Sequence, residues 1–129
     1  MTCVKEMDAL AVQAGRKLDA MIAEEVMGYE VVYRDEIPVH LMIDGKYHAF
    51  GEDSWSPSPH WAPSIDSCAA RQVAKKMIRR GRYMNMTWYD HGTCVEFHNI
   101  DSGQIVEAWA KEPELAICRG VLLVVRGQL

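Results

Sequence analysis

Residues 82–110 read RYMNMTWYDHGTCVEFHNIDSGQIVEAWA. Three runs rich in β-branched and aromatic side chains are separated there by the turn formers Asp-His-Gly and Ile-Asp-Ser-Gly. Runs this short, joined this tightly, form an antiparallel meander. Period two is plain in the middle run, where Val95 and Phe97 point to one face and Cys94, Glu96 and His98 to the other. A second antiparallel signal lies upstream, where VHLMI and KYHAF flank Asp44-Gly45. That dipeptide tolerates positive φ and suits a two-residue hairpin turn, so a β-hairpin is expected over residues 38–50.

Helical periodicity surrounds these strands. From Val4 to Met27, Met7, Leu10, Ala14, Leu18, Met21, Ile22 and Val26 recur at three- and four-residue steps, the stripe of an amphipathic helix. Gly28 suits its left-handed cap, and Gly15 inside the pattern marks a bend or a close contact. A second helix is expected to be capped by Ser64, with Asp66 in its first turn, Ile65, Cys68, Ala69, Val73 and Met77 on one face and Gly81 just beyond its end. A third starts at Pro113 and is apolar over more than half its circumference through Val125. Such a face needs a central position or a partner subunit, so a homo-oligomer is expected. Between the hairpin and the second helix, GEDSWSPSPHWAPS (51–64) holds three prolines and two tryptophans and must be a loop. The fold class is α+β: an antiparallel sheet packed with three helices, plus an inserted hairpin.

The chain has 129 residues, 49% hydrophobic and 25% charged, which fits a single domain over 1–129 with a packed core. No apolar run approaches the roughly 20 residues of a membrane span, and the first residues lack the apolar stretch of a secretory signal. Cytoplasm is the expected location. Cys3, Cys68, Cys94 and Cys118 are scattered without a CxxC pair, against both a disulfide scaffold and a zinc ribbon.

Three stretches carry a resemblance. LDAMIAEEVMGYEVV, SPSPHWAPSIDSCAARQVAKKM and AWAKEPELAICRGVLL resemble the first helix, the proline-serine loop with the second helix, and the last strand with its helix in the phage αβα-sandwich domain family. Together they cover most of the chain outside the hairpin. The chain departs from the family pattern at Ile65-Asp66, where Thr-Asp-Ile is more usual, and at Arg71-Gln72, where Trp-Glu is common. The resemblance implies helices on both faces of a sheet and a phage or prophage origin, and it implies no reaction.

No phosphate loop, nucleophile elbow, HExxH or dinucleotide fingerprint is present, and no cofactor is expected. An enzyme would have to use the strand face of Cys94, Glu96 and His98, with His91 in the adjoining turn, as a metal site or a Cys-His pair; the bland reading is an ordinary polar sheet face. His40 and His48 alternate in the hairpin and could face one another. Six cations stand between Arg71 and Arg82 without an acid; they could hold phosphates or nucleic acid, or simply form the wet side of a helix whose dipole favours cations in its last turn. Trp55, His60 and Trp61, on a proline-stiffened loop, offer flat apolar area at low ordering cost, or they fold back to seal the core. The leading expectation is a non-enzymatic binding protein. It would capture a small anionic, nucleotide-derived host defence signal, or a host protein, by stacking on Trp55, His60, Trp61 or Tyr29 and pairing with Arg79, Arg80 or Arg82.

Overall fold

A computed structural model describes residues 13–127. Helix α1 (Arg16–Ile22) runs without a break into a π-helical segment (Ala23–Met27). Three strands follow, β1 (Glu30–Arg34), β2 (Ile37–Ile43) and β3 (Lys46–His48). After the loop come α2 (Ser67–Arg79), the strands β4 (Arg82–Tyr89), β5 (Gly92–Asn99) and β6 (Ile105–Ala110), and the last helix, α3 (Pro113–Gly127). The strands form two separate antiparallel sheets, ordered β1-β2-β3 and β4-β5-β6. The expected meander and the separate hairpin are both present, and the hairpin is extended by one further strand. The third strand of the first sheet, β1, lacks the usual sequence flag because its turn is made by Asp35 and Glu36 at φ 51° and 68°, a conformation normally supplied by Gly or Asn.

The second sheet follows the expected alternation. Met86, Val95 and Ala108 lie opposite one another, as do Met84, Phe97 and Val106, and this face receives both long helices. Gly120 of α3 sits so close that a Cβ there would lie 2.9 Å from the Phe97 ring and 3.6 Å from the Ala108 methyl. Residues 116–118 and 120–124 of α3 are buried, so its wide apolar face is covered within one chain and does not itself call for a partner subunit. The other face of the second sheet carries Tyr83, Tyr89, Ile105 and Trp109, all exposed, and no described element packs on it. The helix-covered second face of an αβα arrangement is therefore not completed by the described residues. Helix α1 and its π segment join the halves, touching β1 and β2 on one side and α2 and α3 on the other.

Two helix starts differ from expectation. The first helix begins after Gly15, which stands at φ 140°. The part of the expected helix before residue 13 lies outside the described residues, whereas Gly28 closes the element in the left-handed conformation, as its position suggested. Helix α2 is capped by Asp66, whose carboxylate accepts from the Cys68 N–H. Ser64 is instead drawn into the interior: its N–H donates to Asp19 (2.9 Å), and its hydroxyl accepts from the Gly15 N–H (3.1 Å). The shift turns Ile65 and Cys68 outward and leaves Ala69, Ala70, Val73, Ala74 and Met77 as the buried face.

Candidate functional site

The proline-rich loop is pinned at several points. The Ala49 N–H donates to the Pro59 carbonyl (2.8 Å) and the Trp61 N–H to the Ala49 carbonyl (2.9 Å), so the loop adds a short parallel bridge to the end of the first sheet. Arg16 ties down its first part through an ion pair with Asp53, a hydrogen bond to the Pro38 carbonyl (3.0 Å) and a guanidinium 5.8 Å from the centre of the Phe50 ring. These anchors separate the two tryptophans. Trp61 is 5% exposed and meets Tyr29 edge-on at 5.6 Å, while Trp55 is 75% exposed.

Trp55 stands at a cleft of about 440 Å³ on the first sheet, bordered also by Arg16, Val32, Tyr33, Arg34, His40 and Tyr47. Three consecutive strand residues, 32–34, reach it because the β1–β2 pairing slips between Val32 and Tyr33; such a bulge breaks alternation and re-aims side chains. The left-handed pair Asp35 and Glu36 follows directly, and non-glycine residues in that conformation store strain of the kind that gathers at functional sites. The His40 and Tyr47 rings stack at 4.4 Å. Burial, and then its hydrogen bond to Glu24, push the Tyr33 hydroxyl up to about 12, so it is a neutral donor at any physiological pH. Of the two arginines, Arg16 is occupied by the loop acids, whereas the Arg34 guanidinium has no side-chain partner among the described residues. The cleft thus offers an indole, a ring pair and one uncommitted cation.

The other predicted residues lie elsewhere. Tyr29, His60 and Trp61 line a second groove of about 390 Å³, with His48 and the first turns of α2. His60 donates from Nε2 to the Asp53 carbonyl (2.9 Å). Trp61 serves the core there, and its buried indole N–H has no acceptor among the described residues. The arginine cluster does not meet Trp55. None of Arg79, Arg80 and Arg82 borders the Trp55 cleft or the second groove. Arg80 reaches the Val26 carbonyl (3.4 Å), and Arg82 donates to the Arg80 carbonyl (3.0 Å). Arg71, Lys75 and Arg79 are exposed on α2, whereas Arg82 already belongs to β4, so the six cations do not all lie on one helix.

The thiol-imidazole face assembles as expected but with the wrong electrostatics for a nucleophile. His98 Nε2 is 3.4 Å from Glu96 Oε1. Burial, Glu107 and Glu96 together push the Cys94 thiol up, away from the thiolate that attack requires. No group of three metal-ligating side chains converges among the described residues. His40 and His48 are not neighbours, because Leu41 pairs with His48 and Met42 with Tyr47, which places the two imidazoles on opposite faces.

Neither the protein-family models nor the curated proteins contain a match to the chain. The fold is similar to that of a phage protein from Bacillus cereus ATCC 14579, a crystal structure with a TM-score of 0.60 and 24% sequence identity; the match covers 87% of this chain and 92% of that one. At that identity the likeness carries the fold alone.

Proposed function

We propose that this is a non-enzymatic phage or prophage protein of the αβα-sandwich kind that captures a small, planar, anionic ligand of the nucleotide class in the Trp55 cleft. The phage origin is supported by the resemblance of three sequence stretches and by the fold shared with a phage protein. The capture rests on one observation: an indole that is 75% exposed and a guanidinium without a side-chain partner among the described residues border the same ring-lined cleft. An exposed tryptophan on an anchored loop gives up little freedom on binding, and a base can stack on it or on Tyr47. Arg34 then supplies a forked donor for a phosphate. A volume of about 440 Å³ lies within the usual range for small-molecule sites.

A catalytic reading through Cys94 draws no support from a thiol pushed up by burial and two carboxylates. Calorimetric titration with cyclic mono- and dinucleotides and with ADP-ribose tests the capture. Saturable heat that Trp55→Ala and Arg34→Ala each reduce at least tenfold in affinity is the expected result. Absence of heat and of thermal shift with every member of the panel overturns it.

A further inference from the structure

The outward face of the second sheet carries exposed rings that the nucleotide-capture proposal leaves unused. Tyr89, His91 and Trp109 cluster at one end, with ring centres 5.2 to 6.0 Å apart. Tyr83 and His98 stack at 4.5 Å at the other end. Between them, Asn85, Glu96 and Glu107 stand in one row across the three strands. Like charges directly opposite one another on adjacent strands repel. Among the described residues no lysine or arginine pairs with either glutamate; Glu96 has His98 at 3.4 Å, and Glu107 accepts from the Trp109 indole.

From this arrangement we propose that the face is a docking surface for a polypeptide segment bearing arginine or lysine. Two carboxylates facing one another without a lysine or arginine partner among the described residues, framed by flat rings, are complementary to a cation with an apolar stem. The guanidinium or ammonium group sits between Glu96 and Glu107, while Trp109 and Tyr83 take cation–π and stacking contacts on either side. A face-to-face second copy is disfavoured, because it would set the glutamates of one against those of the other. The π-faces and the carboxylates are both needed: rings alone would accept any apolar partner, and carboxylates alone any cation.

The test uses the full chain and a fluorescein-labelled nona-arginine peptide, read by anisotropy, with nona-glutamate as the negative probe. Glu96→Gln/Glu107→Gln is compared with Glu30→Gln/Asp44→Asn, which changes net charge equally on the exposed part of the first sheet. The expected result is at least a tenfold loss of affinity in the first pair, less than twofold in the second, and a matching loss in Trp109→Ala at unchanged charge. Removing the facing carboxylates should also raise the melting temperature, so lost binding cannot be ascribed to unfolding. Equal weakening in the two double variants would reduce the effect to net charge and overturn the proposal. So would sedimentation showing that the protein self-associates through this face, with Tyr83→Ala and Trp109→Ala converting it to monomer.

Discussion

Asp19 is 1% exposed, and its carboxyl is lifted from an ordinary 3.8 to about 7, chiefly by burial, with Glu52 adding to the rise and the Ser64 hydrogen bonds opposing it. The folded protein therefore keeps a proton that the unfolded chain has already released. Its stability falls as pH rises from about 4 to about 7 and is level above that, because the unfolded state binds fewer protons throughout that window. At about 1.4 kcal/mol per pH unit, the ionised carboxylate costs the folded state on the order of 4 kcal/mol at pH 8, of which about 3 kcal/mol develops above pH 5. That is a large share of a typical total stability of about 5–15 kcal/mol. Asp19→Asn keeps an oxygen for the Ser64 N–H and removes the titration. In urea unfolding followed by circular dichroism, the variant should gain about 3 kcal/mol over the wild type between pH 5 and pH 8. A difference that stays constant across that range would refute the reasoning, since every other titrating group is common to both proteins.

Four further outcomes are expected. Trp55→Ala should change stability by less than about 0.5 kcal/mol, whereas Trp61→Ala should cost about 3–5 kcal/mol, because only the second ring is buried; chemical denaturation of the two variants checks this. Gly120→Val should cost about 1–3 kcal/mol or more, measured the same way, because the new side chain meets the Phe97 ring. In a Cys3→Ser background, iodoacetamide followed by peptide mapping should label exposed Cys68 at least tenfold faster than Cys94 or Cys118, both buried and both pushed up in pKa; labelling of Cys94 first would restore the case for a catalytic thiol. Charge removal at Arg79 and Arg80 should leave nucleotide affinity within about twofold in calorimetry, since neither borders the Trp55 cleft.

Local chemistry made the meander, the Asp-Gly hairpin and the helix-closing Gly28 legible in advance, because each depends on residues adjacent in the chain. The misreadings share a cause of the opposite kind. Strand β1 hides behind a turn whose two left-handed residues are Asp and Glu, so the usual punctuation is missing. Both Ser64 and Asp66 can cap a helix, and distant partners make the choice: Asp19 accepts from the Ser64 N–H and the Gly15 N–H donates to the Ser64 hydroxyl that would have capped, leaving the cap to Asp66. Trp55 and Trp61 look alike in a proline-rich loop, yet backbone hydrogen bonds between Ala49 and the Pro59–Trp61 segment hold one ring inward. Arg34 lacks any motif and enters the cleft only through the slipped pairing after Val32. The cation that borders the Trp55 cleft thus belongs to a strand, away from the arginines that follow α2.

The claim that the Trp55 cleft takes a nucleotide-like anion is tested most directly by the indole N–H signals in a ¹H–¹⁵N spectrum, with Trp55 assigned from Trp55→Phe. Titration with ADP-ribose and with cyclic dinucleotides should move the Trp55 signal saturably for at least one of them, leave the Trp88 and Trp109 signals in place, and lose the effect in Arg34→Ala. A Trp55 signal that stays fixed while the spectrum of the folded protein is otherwise intact, or one that moves equally in Arg34→Ala, would contradict the account.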